Sequence, residues 1–149
     1  MSITLTSPAF SSDATIPVEH TADGIDVSPP LNWSELPSGT KSLALICEDP
    51  DVPGGTFTHW VVNNLPPEAR GLRPGALPEG AMEGLNSFGK QGYDGPAPPR
   101  GKPHHYHFRL YALDSEILLI GEFSAEGLKQ ELAGHVLAEA DLVGVYQRI

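Results

Sequence analysis

Glycine and proline punctuate this chain so often that long helices have almost nowhere to form. The 149 residues include 16 glycines and 15 prolines, enough to break the chain into short pieces, while an apolar fraction of 40% still supplies a packed core. That balance predicts a mainly β chain of short strands and long ordered loops. One domain over 1–149 suffices, because a single core commonly serves about 100–200 residues.

The strands can be placed. Residues 41–48, Lys-Ser-Leu-Ala-Leu-Ile-Cys-Glu, form a continuous apolar run with a charge at each end, the pattern of a strand covered on both faces. Further strands are expected over 3–6, 31–34, 58–65, 104–113 and 141–148, bounded by pairs such as Pro29-Pro30 and Pro66-Pro67. In 58–65 alternation puts His59, Val61 and Asn63 on one face and Trp60, Val62 and Asn64 on the other. In 104–113 it groups His104 with Tyr106 and sets His105 with His107 on the opposite face. Leu128, Leu132 and Val136 recur every four residues behind Ser124, which predicts an amphipathic helix over 124–137. The long stretch 66–103 is expected to be ordered, since Leu77, Met82, Leu85, Phe88 and Tyr93 punctuate it.

A net charge of −10 argues against nucleic acid or an anionic membrane as partner, since both demand a basic surface. Six cationic residues (Arg70, Arg73, Lys90, Arg100, Lys102 and Arg109) nonetheless fall mid-chain, either as solvated loop charge or as a local positive rim. The single Cys47 excludes an internal disulfide and sits in an apolar run, so a buried structural thiol is expected. The N-terminus lacks a signal-peptide pattern, and no apolar run is of membrane-spanning length, which predicts a cytoplasmic protein.

Two polar clusters carry the chemistry. Asp49-Pro50-Asp51-Val52-Pro53 leads to His59-Trp60, and Gly95-Pro96-Ala97-Pro98-Pro99-Arg100-Gly101 leads to His104-His105-Tyr106. These residue types admit a metal site, but the spacing is unspecific. No nucleophile elbow, phosphate-binding loop or dinucleotide fingerprint is present. The same side chains also suit an anion pocket: imidazoles, a tyrosine hydroxyl and main-chain N–H groups of a proline-stiffened loop can donate to phosphate or carboxylate oxygens. A plain structural network of the same groups is the competing reading.

The two clusters together resemble the signature regions of the phosphatidylethanolamine-binding proteins, also called Raf kinase inhibitor proteins, with the bacterial and archaeal branch closest. Ser7-Pro8-Ala9-Phe10, Asp23-Gly24-x-Asp26-x-Ser28-Pro29-Pro30-Leu31 and His135-Val136-Leu137-Ala138-Glu139-Ala140 extend the resemblance over nearly the whole chain. It implies a β-sandwich of a large and a small antiparallel sheet with short peripheral helical segments. It also implies a ligand pocket built from Asp49, Asp51, His59, Pro99, His104 and Tyr106, with main-chain contacts around Gly95 and Ala97, and no cofactor or metal. The position after His104, often Arg in the family, is His105 here. The implied function is non-enzymatic binding of a small phosphorylated or carboxylated ligand. A kinase or other signalling protein is the implied partner, and a homodimer the implied assembly. The alternative is a metal-dependent or acid-base enzyme using the same Asp and His side chains.

Overall fold

The computed structural model describes residues 3–149. It contains eight strands, β1 (Thr4–Thr6), β2 (Leu31–Ser34), β3 (Ser42–Asp49), β4 (Phe57–Leu65), β5 (Gly71–Leu72), β6 (Met82–Glu83), β7 (His104–Leu113) and β8 (Val136–Tyr146), and one helix, α1 (Ala125–Leu132), with a 3₁₀ turn at Val18–His20. All named strand pairs are antiparallel. They form a three-stranded sheet ordered β1-β2-β5 and a five-stranded sheet ordered β6-β4-β3-β7-β8.

The apolar run of β3 is buried on both faces, as expected. Leu43, Leu45 and Cys47 join the core between the sheets with Leu31, Trp33, Trp60 and Phe108. Ala44 and Ile46 point the other way, into a second core with Val61, Leu113, Leu128 and Leu132 under α1. Removing side chains of this kind from water is worth about 1.5–3 kcal/mol each, so β3 is the fold's central element. Cys47 is buried, and that burial pushes its thiol well up.

The last third departs from expectation. Ser124 does cap α1, its hydroxyl accepting from the Gly127 N–H at 3.1 Å, but the helix ends at Leu132. Gly134 adopts φ +85°, a left-handed turn, and β8 begins at Val136, five residues before the strand expected at 141–148. Val136 therefore belongs to a strand, because ten residue pairs with β7 outweigh a four-residue apolar repeat. The stretch 66–103 is ordered, contributing β5, β6 and a loop that bonds along β4 through Gly84 N to Val61 O (2.9 Å) and Ser87 N to Thr58 O (2.8 Å).

Candidate functional site

The C-terminal end of β3 and the start of β7 meet at a cavity of about 170 Å³. Its polar wall is Asp49, His59, His104 and Tyr106. Val52, Phe57 and Phe88 line one side, and Ala97, Pro98 and Pro99 the other.

Each polar side chain is held from behind. Asp49 closes an Asx turn, its Oδ1 accepting the Asp51 N–H at 2.8 Å. Its Oδ2 lies 2.5 Å from His104 Nδ1, both side chains being buried. His59 Nδ1 lies 2.6 Å from the Asp94 carbonyl, an acceptor only, so Nδ1 carries the proton. The Tyr106 ring meets that of His59 edge-on at 5.2 Å. Burial, then the nearby Asp49 charge, pushes the Tyr106 phenol far up, so it remains a donor. Burial holds His59 below its ordinary value, against the opposing pull of the Asp94 carbonyl and the Asp49 charge.

His59 reaches the cavity through a break in β pairing. Cys47 stands opposite Trp60, but Glu48 stands opposite Thr58, which leaves His59 as an extra residue on β4. Such a bulge re-aims a side chain. It turns His59 away from the face of Val61, where alternation had put it, and toward Tyr106. The residues beyond it are reset too: Phe57 faces the cavity and Thr58 the groove beside Glu48.

The remaining expected residues divide. Ala97 and Pro99 line the cavity. Asp51 does not: its Oδ2 accepts from the His105 N–H at 2.8 Å and lies 2.7 Å from His105 Nδ1, outside the pocket. Gly95 does not line it either, since its N–H donates to Asp26 Oδ1 at 2.7 Å. His107 lies on the far face against Asp141 at 2.9 Å. The four lining residues sequence reasoning missed are Val52, Phe57, Phe88 and Pro98. Phe57 and Phe88 pack edge-on at 4.8 Å, and no local pattern marks them.

Among the described residues no Lys or Arg lines the cavity, so none of the mid-chain cations contributes to its wall. Arg109 lies on the opposite face of the sheet, 3.1 Å from buried Glu48, which Lys129 also meets at 2.6 Å. Arg148 is nearer: its guanidinium bonds Asp23 at 2.8 and 3.0 Å and the Pro98 carbonyl at 3.3 Å. With Gln147 donating to the Gly101 carbonyl, the C-terminal residues strap the 98–101 loop in place. Among the described residues no three His, Cys, Asp or Glu side chains converge as a metal would require, and no helix is long and apolar enough to cross a membrane.

Comparison with known proteins agrees with this architecture. The family model for phosphatidylethanolamine-binding protein matches residues 6–147. The UPF0098 protein of Methanothermobacter thermautotrophicus is 47% identical, over 97% of this chain and 98% of its own. Among solved structures, a phosphatidylethanolamine-binding protein homologue of Chlamydia trachomatis superimposes with a TM-score of 0.94 at 40% identity, covering 99% of both chains. Escherichia coli YbcL, described as a member of the mammalian PEBP family, gives 0.94 at 34% identity over 100% of both. A model match over nearly the full length, with the same two-sheet architecture throughout, shows that the chain belongs to the phosphatidylethanolamine-binding protein family.

Proposed function

We propose that the cavity is a head-group pocket for a small oxyanion, phosphoryl or carboxylate, and that the protein acts as a binding module. The observation that carries this reading is the convergence of His59, His104 and Tyr106 on one cavity, with two of their proton-bearing nitrogens anchored behind the wall. That anchoring leaves His59 Nε2, His104 Nε2 and the Tyr106 hydroxyl without a hydrogen-bond partner among the described residues. At about 170 Å³ the space suits a head group and not a whole lipid or cofactor, whose pockets run to about 300–1,000 Å³. The exposed Phe88 edge and the proline wall then offer apolar contact to whatever carries the head group.

Such a group can belong to a free metabolite or to a phosphorylated or acidic-ended protein, a kinase or other signalling partner included. NMR titration tests the reading: inorganic phosphate or phosphoethanolamine shifts the ring signals of His59 and His104, and His59→Ala abolishes the effect. Unchanged ring signals at millimolar ligand sink it. Competition of free phosphate against a protein pull-down separates the two sources.

The Asp49–His104 contact supports a second reading, an acid-base enzyme, since a carboxylate behind an imidazole is how general bases are oriented. Against it, among the described residues no Ser, Thr or Cys lines the cavity, Cys47 being buried with its thiol pushed up. Turnover of a phosphate or carboxylate ester that disappears in His104→Gln would decide for the enzyme.

A further inference from the structure

Resting on the head-group reading above, we infer that this cavity takes an oxyanion only together with a proton, so that it accepts phosphate and phosphomonoesters and rejects sulfate. An oxyanion requires donors, and the wall has few. Among the described residues no Lys or Arg lines the cavity. Pro98 and Pro99 have no N–H to offer, and the Gly95 N–H is already bonded to Asp26.

The imidazoles do not fill the gap while neutral. With its proton on Nδ1 toward the Asp94 carbonyl, neutral His59 keeps a bare, accepting Nε2. His104, with Nδ1 toward Asp49, likewise has no N–H on Nε2 while it is neutral. The Tyr106 hydroxyl is then the one side-chain donor, facing two acceptor nitrogens and a carboxylate. A fully deprotonated oxyanion would meet lone pairs with lone pairs, which is repulsive and leaves buried acceptors unpaired.

One added proton resolves this at either of two places. A P–OH can donate to an imidazole Nε2, or an imidazolium N–H can donate to a ligand oxygen. The carboxylates around the rings support that proton, against the burial that disfavours it on His59. Asp49 on β3 faces both imidazoles, the Asp26 and Asp94 carboxylates lie near His59, and Asp51 lies near His104. From β7 the Tyr106 ring, its phenol neutral, packs against His59, and Arg148 is held by Asp23 outside the wall. A phosphomonoester loses its last proton at about pH 6 and so carries or regains it easily near neutrality. Sulfate has none to offer and must draw it from solvent onto a buried ring.

Calorimetric titration of the full chain with inorganic phosphate and with sulfate, at matched ionic strength between about pH 6 and about pH 8, tests the inference. Phosphate should bind at least about tenfold more tightly than sulfate, the lower bound set by leaving one buried acceptor unpaired. Its affinity should fall as pH rises across that range. In His59→Gln, whose amide can present an N–H without solvent protonation, sulfate should approach phosphate to within about threefold. Equal affinities for the two anions in the wild type, or phosphate binding that is flat with pH, overturn the inference and leave the head-group reading standing. No heat with either anion overturns both.

Discussion

Asp49 and His104 form the tightest side-chain contact in the candidate pocket, Oδ2 to Nδ1 at 2.5 Å, between residues 55 positions apart that are both buried. Neither strand end could hold its own polar group dry without the other, because a buried carboxylate or imidazole left alone costs several kcal/mol. The contact thus fixes the His104 ring and joins the two loops.

Replacing that carboxylate with a neutral amide should show both roles. Asp49→Asn keeps the oxygen that accepts the Asp51 N–H but loses the charge beside His104. About 2 kcal/mol of stability should disappear in urea unfolding. Phosphate affinity should drop about tenfold as the His104 ring loses the partner that fixes its orientation.

Stability should depend on pH through His59. Burial holds this ring below its ordinary value of 6.5, so the unfolded chain binds a proton that the folded chain refuses. Stability from this group is present above that value and lost as pH falls through the window beneath it. Urea midpoints should therefore be lower at about pH 5 than at about pH 7, and His59→Gln should shrink the difference. The depressed carboxyls of Asp23, held by Arg148 and Tyr146, and Asp114, held by His135, act in a separate window below 3.8. An undiminished difference in the variant would count against His59 as the source.

Gly95 should resist any side chain. A Cβ there would stand 2.4 Å from the His20 carbonyl oxygen and 3.0 Å from Thr21 Cα, both backbone atoms. Gly95→Ala is expected to cost about 1–3 kcal/mol by displacing the loop, and to weaken phosphate binding through the Ala97 wall. Thermal unfolding alongside NMR titration measures the two effects, and a variant as stable as wild type refutes the steric account.

Arg148 should act on the pocket without touching it. Arg148→Ala removes the contacts to Asp23 and Pro98 on an exposed surface where ion pairs add little stability. The midpoint should barely move, while phosphate affinity falls about threefold to tenfold as the 98–101 loop loosens. Arg148→Lys should rescue little, lacking the two-pronged geometry.

Glu48 supplies the contrast from the other face of β3. Its partners Arg109 and Lys129 are 36% and 37% exposed, so Glu48→Gln is expected to cost only about 1–2 kcal/mol, well short of a fully buried pair. Phosphate binding should be unchanged, and an altered affinity would mean that the two faces are coupled.

Much of this was legible in the residues themselves. Turn content gave a mainly β chain, although β3, β4, β7 and β8 run to 8, 9, 10 and 11 residues; the 41–48 run gave a strand buried twice over, and period-two alternation separated His104 and Tyr106 from His105 and His107, as β7 bears out. These are local rules, set by where a side chain points from its own backbone. What only the tertiary structure decided depends on a neighbour. His59 faces the pocket because β4 carries one residue more than β3 can pair, and alternation fails at an unpaired residue. Asp51 and Gly95 fall outside because His105 and Asp26 take their bonding groups. The helix stops at Leu132 because β7 offers Val136 a ladder. Sequence alone specified which side chains could form a pocket, and strand register specified which of them do.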